Sequence, residues 1–191
     1  MLLVRVALGP AVGLLLGASS CSVSDLTSGG PVDRGAYDAD GAPEGSDGAP
    51  GFVPPATPVT VQNLLNKRYL DVSNVSSSDG AEVWTWSHTG QANQLWTFTA
   101  MDDGTYEMVN EVSNKCLDVR AQATANGSYI EQFGCHGGDN QRWSVTRSRG
   151  YDRIVGKQSG KCLSSSAMED GATVTILDCS DAPSQDWAIG H

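Results

Sequence analysis

The sequence predicts an all-β domain over residues 58–191, made of three repeats of about 45 residues set round a common axis. Two observations predict it. The tripeptide Gln-x-Trp occurs at Gln94–Trp96, Gln141–Trp143 and Gln185–Trp187, in steps of 47 and 44 residues. The same series of segments precedes each copy: "RYLDV" at 68–72, "KCLDV" at 115–119 and "KCLSS" at 161–165, then "DGAEVWTW" at 79–86, "NGSYIEQF" at 126–133 and "DGATVTIL" at 170–177. Runs such as "AEVWTW" and "ATVTIL" alternate with the period of a strand. Asp79-Gly80, Asn126-Gly127 and Asp170-Gly171 are turn signals. Repeats are expected at about 58–101, 102–147 and 148–191. One unit cannot bury its apolar face alone, but three can share a core. Trp96, Trp143 and Trp187 recur at one phase and are expected in that core. Each Gln is expected to bond backbone in the turn before its Trp.

The chain before the repeats divides in two. Residues 1–20 have one early charge, Arg5, then an apolar run and small residues, the pattern of an export signal. The cut would fall before Cys21. "ASSC" suits ordinary signal peptidase and also resembles a bacterial lipoprotein box, with Ala18 where that box usually has Leu. The protein is therefore expected to be exported, either lipid-anchored through Cys21 at the cell envelope or secreted. Residues 21–57 are rich in Gly, Pro, Ala, Ser and Asp, with six acids against the single base Arg34. Such a stretch buries too little apolar surface to offset its ordering entropy and reads as a disordered tether.

Charge and cysteines narrow the classes of function. The net charge of −10 argues against nucleic acid, whose phosphates need clustered Lys and Arg. Membrane contact is expected only through the anchor at Cys21. Apart from Cys21 there are four cysteines, Cys116, Cys135, Cys162 and Cys179, with no C-x-x-C pair. An even number suits disulfides in an exported protein, and three pairings are open. His88, His136 and His191 have no metal-ligand spacing, so neither metal nor cofactor is expected. No serine has a nucleophile-elbow context, and the chain is not expected to be an enzyme.

In these repeats, residues 58–191 resemble a ricin B-type β-trefoil lectin domain, the family marked by three Gln-x-Trp repeats and recurring Cys-Leu-Asp strands. The resemblance implies a twelve-stranded trefoil and disulfides within repeats, hence Cys116–Cys135 and Cys162–Cys179. In the first repeat Tyr69 and His88 stand at the two Cys positions, so packing is expected to replace the covalent bond.

The resemblance also implies a shallow sugar site in each repeat that keeps three features: a carboxylate after Cys-Leu, an aromatic ring two residues before the second Cys position, and an Asn before the Gln. An aromatic ring packs on the C–H face of a pyranose, while carboxylate and amide take its hydroxyls. Repeat 1 offers Asp71, Trp86, Asn93 and Gln94, with Trp84 nearby. Repeat 2 offers Asp118, Phe133, Asn140 and Gln141, with Glu131 at the position of Trp84. Repeat 3 has Ser164, Leu177 and Ser184 instead, while Gln185 and Trp187 remain. Two live sites and one structural repeat are expected, with glycans or polysaccharide as partners, galactose- or xylose-type among them. The alternatives are a protein-binding or inhibitor-type trefoil without sugar binding, and an accessory module serving a separate polysaccharide hydrolase.

Overall fold

The computed structural model describes residues 51–148 and 150–190; the expected signal peptide, Cys21 and the expected tether as far as residue 50 lie outside these residues. Repeat 1 supplies β1 (Val61–Asn63), β2 (Tyr69–Val72), β3 (Ala81–Trp86) and β4 (Trp96–Ala100). Repeat 2 supplies β5 (Tyr106–Asn110), β6 (Cys116–Val119), β7 (Ser128–Phe133) and β8 (Trp143–Ser148). Repeat 3 supplies β9 (Tyr151–Gly156), β10 (Cys162–Ser164), β11 (Ala172–Thr173), β12 (Thr175–Leu177) and β13 (Trp187–Ile189). Four strands per repeat were expected. The third repeat differs only because its hairpin strand is interrupted at Val174.

The first and last strands of each repeat close a six-stranded antiparallel barrel in the order β1-β13-β9-β8-β5-β4, with the Val59–Trp96 bridge returning β4 to the chain before β1. The middle strands form the hairpins β2–β3, β6–β7 and β10–β12. These hairpins pair with one another in a ring, β3 with β7, β7 with β12 and β11 with β3. The barrel thus needs no free edge, and the hairpins cover it. Trp96, Trp143 and Trp187 are fully buried, and their indole N–H groups donate to the carbonyls of Leu70, Leu117 and Leu163. The three glutamines behave alike. Gln94, Gln141 and Gln185 accept from the backbone N–H of Thr89, His136 and Ser180, and donate to the carbonyls of Ser87, Gly134 and Asp178. Gln-x-Trp is therefore one clamp written three times. The Trp ties the clamp to the strand of its own hairpin, and the Gln closes the loop before it.

The residue that starts each hairpin turn does more than bend the chain. Asp79 Oδ1 accepts from Gly134 N, Asn126 Oδ1 from Asp178 N, and Asp170 Oδ1 from Ser87 N. Repeat 1 thus clasps repeat 2, repeat 2 clasps repeat 3, and repeat 3 clasps repeat 1. A cation before each hairpin joins the clasp: Lys115 pairs with Asp79 and Arg68 with Asp170. Asn126 carries no charge, and Lys161 there pairs with Asp178, which also accepts from the Asn126 amide. The carboxylate has moved to the other side of the clasp, but each junction keeps one.

Both disulfides fall within repeats, Cys116–Cys135 and Cys162–Cys179. In repeat 1 the rings of Tyr69 and His88 pack at the equivalent place, tilted by 46° with centroids 4.8 Å apart. Replacing Cys116 and Cys135 together by Ala is expected to cost about 3 kcal/mol, because the bond closes a 19-residue separation in the unfolded chain. Urea unfolding reads this directly, and an unchanged midpoint would count against it.

One boundary moves. The sequence reading ran the tether to residue 57, but Phe52 is buried against Phe98 and Tyr106, with centroids 5.5 and 5.4 Å away. Tyr106 Oη donates to the Phe52 carbonyl. An isolated aromatic in a Pro- and Gly-rich stretch shows no periodicity, so pattern alone could not place it in the core.

Candidate functional site

Repeat 1 contains an open cleft of about 160 Å³. Its walls include Asp71, Trp84, Trp86 and Asn93, as expected from the sequence, and also Asn74 and Val75. Asp71 lies on β2 directly across from Trp84 on β3, and Tyr69 lies across from Trp86. The alternation of β3 puts Trp84 and Trp86 on the same face, where their rings tilt together at 5.2 Å. Gly171, from the hairpin turn of repeat 3, lies against both rings: a Cβ there would stand 3.5 Å from Trp86 and 3.8 Å from Trp84.

The carboxylate is held from inside the protein. Trp84 Nε1 donates to Asp71 Oδ1 and Gln94 Nε2 to Asp71 Oδ2, each at 2.8 Å. Asp71 is only 4% exposed, although it lines the cleft. Its burial pushes the carboxyl above the ordinary value of 3.8, and the bonds from Trp84 and Gln94 pull it part of the way back. Gln94 is fully buried. It positions Asp71 and the loop rather than reaching the cleft. Asn93 donates from Nδ2 to the Val72 carbonyl, so it fastens the end of β2 as well as bordering the cleft.

Repeat 2 has the same frame with different walls. Asn140 Nδ2 and Gln141 Nε2 both donate to Asp118 Oδ2 at 2.8 Å. Asp118 is buried, which raises its carboxyl above the ordinary value, and the two amides oppose that shift. Gln141 is fully buried and acts as Gln94 does. Phe133 is 40% exposed at the position of Trp86. His136 comes within 3.6 Å of Asp118 and sets its ring 6.3 Å from that of Phe133. Glu131, where repeat 1 has Trp84, is buried and takes a 2.5 Å bond from Arg120 Nε. Glu131 pairs across the strands with Glu82, and Arg120 bridges both carboxylates. The expected role of Glu131 therefore changes: it belongs to the junction between hairpins, where Arg120 offsets a like-charge pair.

In repeat 3, Ser164 Oγ donates to Ser184 Oγ, and Ser165 N to the Ser184 carbonyl. The two serines bond one another, and no carboxylate stands at this position.

One wall escaped sequence reading. After Asp71-Val72 the chain makes a 3-10 turn, Ser73–Val75, in which Asn74 and Val75 have φ of 55° and 52°. After Asp118-Val119 the turn Arg120–Gln122 repeats this with Ala121 and Gln122 at 55° and 54°. The matching stretch of repeat 3, 166–168, has no such turn. Left-handed backbone without glycine leaves no mark in composition. The visible trace is that "SNV" and "RAQ" follow an Asp-Val pair which repeat 3 replaces with Ser-Ser.

Comparison with known proteins agrees with this geometry. Residues 57–187 match the family model described as a ricin-type beta-trefoil lectin domain. The probable lipoprotein EnvE of Salmonella typhimurium is 36% identical over 77 residues, covering 39% of this chain and 42% of that protein. The chain thus spans less than half the length of that curated relative. Among solved structures, the designed three-fold symmetric protein ThreeFoil is 34% identical with a TM-score of 0.69, covering 70% of this chain and 98% of that one. The ricin B-like lectin of Macrolepiota procera, solved in complex with lactose, has a TM-score of 0.63 at 18% identity, covering 73% of this chain and 98% of that one.

Proposed function

The chain belongs to the ricin-type β-trefoil lectin family, and from that premise we propose that it is a non-catalytic glycan-binding protein with two working sites, in repeats 1 and 2. The observation that carries this reading is the held carboxylate. Asp71 and Asp118 each take two donors from the protein on their inner side, and each is paired with a half-exposed aromatic residue, Trp86 or Phe133. An oriented acceptor next to a ring suits the hydroxyl edge and C–H face of one sugar. Repeat 3 keeps the clamp of Gln185 and Trp187 and lacks both features. The Cys21 anchor and the acidic tether from residue 21 onward fit display of the domain at a cell envelope, with secretion as the other outcome. That the relative EnvE is itself described as a probable lipoprotein supports the anchored form.

A glycan array with free-sugar competition tests the proposal. Binding that free sugar does not displace would favour a protein-binding trefoil. Preference for insoluble polysaccharide would favour an accessory module. A pH series adds a second signature. Only the ionised carboxylate accepts from two sugar hydroxyls, and burial raises both carboxyls, so binding is expected to fall by half at a pH above 3.8. The fold should outlast it. Asp79, Asp170 and Asp178 are lowered by Lys115, by Ser87 and Arg68, and by Lys161 with Asn126. Depressed carboxylates contribute stability that is present above their unfolded value and lost only as pH falls through the folded one. Circular dichroism should therefore stay native where binding has gone. Parallel loss of both would remove the carboxylates from the binding step.

A further inference from the structure

We propose that Val75 makes the repeat 1 site selective for saccharides bearing a methyl group, either that of an acetamido substituent or that of a 6-deoxy sugar. This rests on the glycan-binding reading and adds to it which class of glycan the site takes.

Three observations meet at this residue. Val75 has φ of 52°, in the left-handed region. A β-branched side chain there is a true outlier, since its Cβ crowds the following carbonyl. Its side chain is also 45% exposed, so burial does not compensate for the backbone cost. Finally, Val75 lines the same cleft as Asp71 and Trp86. Asn or Gly would occupy this backbone more comfortably, and a polar residue would suit the exposure better. The strain and the exposed apolar surface both lie where a ligand would sit, and strained backbone of this kind clusters at ligand contacts.

The chemistry of the wall follows from the side chain. A hydroxyl turned towards the two methyl groups of Val75 would lose water and gain no partner. A methyl group in the same place removes apolar surface from water on both sides. Carboxylate, ring and apolar wall then read three parts of one ring: hydroxyl edge, C–H face and methyl substituent. Repeat 2 has the same left-handed turn but places exposed Gln122 where repeat 1 has Val75. Its amide offers hydrogen bonds instead, so the two sites differ in ligand preference.

The test uses the full chain carrying Phe133→Ala, which removes the platform of repeat 2 and leaves repeat 1 to be read alone. Binding to a glycan surface is competed by galactose, its 2-acetamido derivative and its 6-deoxy derivative, and by the same series built on glucose. The parent sugars are expected to compete, and at least one methyl-bearing form of a competing parent to do so at about fourfold lower concentration, the ratio given by ~0.8 kcal/mol for one buried methyl group. The acetamido and deoxy arms tell which source of methyl is read. Val75→Asn is expected to erase that preference, so that parent and methyl-bearing sugars compete at equal concentrations, and to raise the thermal midpoint, because Asn tolerates the left-handed backbone. Since that variant relieves strain, misfolding cannot account for the loss. Equal competition by parent and methyl-bearing sugars overturns the inference and leaves the glycan reading standing, and so does a preference that survives Val75→Asn. No competition by any sugar overturns both.

Discussion

Asp71→Asn combined with Asp118→Asn is expected to leave no saturable sugar binding, while each single variant loses its own site by roughly 10- to 100-fold. The scale is that of a hydrogen bond to a charged group, about 1.5–3 kcal/mol. Asn is the appropriate replacement because these carboxylates also serve the interior. Asp71 satisfies the indole N–H of Trp84 and the amide of Gln94, and Asp118 satisfies the amides of Asn140 and Gln141. Truncation to Ala would strand those buried donors, a cost of about 1–3 kcal/mol in stability. The Ala variants would therefore weaken binding partly by loosening the loops. Asn keeps the volume and one acceptor while removing the charge: at 118 one oxygen still serves both amides, and at 71 only one of Trp84 and Gln94 loses its acceptor, against both in Ala. Calorimetry with a competing sugar from the array measures the loss, and thermal unfolding shows how much of it is structural. Wild-type affinity in the folded double variant would end the site assignment. Ser164→Ala is the control: its hydroxyl bonds only Ser184, and sugar binding should not change.

Most of the fold was legible because repetition amplifies weak signals. A single Gln-x-Trp says little, but three at near-equal spacing place three buried tryptophans round one axis. Those tryptophans and their glutamines repeat the same hydrogen bonds in each unit. The packing of Tyr69 on His88 was legible for the same reason, since two disulfides marked where a third should be. What escaped was whatever depends on depth or on backbone sign. The sequence places Asp71 and Asp118 at shallow sites but does not show how deeply the carboxylates sit, since an acid in a lone strand is usually exposed. Only the loop folding over them, fastened by Gln94 and Gln141, buries them. Gln94 and Gln141 in turn read as sugar contacts because they adjoin Asn93 and Asn140, although the 3-10 turns Ala92–Gln94 and Asp139–Gln141 direct them inward. Val75 and Gln122 were invisible, since neither residue type announces a left-handed turn. The inter-repeat clasps of Asp79, Asn126 and Asp170 were half visible. Their turns could be read in sequence, but the partner N–H groups stand 52, 55 and 83 residues away in the chain and meet them only once the ring of hairpins has closed.

Two sites of modest strength should act together only on a surface that presents many ligands. Each shallow site alone is expected to hold a monosaccharide near the ~1 mM level, about −4 kcal/mol. The sites belong to different repeats about the axis, so one sugar fills one site. On a dense glycan surface the second contact becomes intramolecular and adds up to ~10²–10⁴ in apparent affinity. If Cys21 carries a lipid, copies sharing one membrane would multiply this. Phe133→Ala isolates the effect, because its ring is 40% exposed and its loss should spare the core. Against free monosaccharide the variant should lose at most the capacity of one site. Against a dense glycan surface it should lose most of the avidity gain, a far larger factor. Equal losses in the two assays would mean that only one site binds. Phe133, a smaller platform than Trp86 and flanked by His136 rather than Thr89, would then mark repeat 2 as the site that does not.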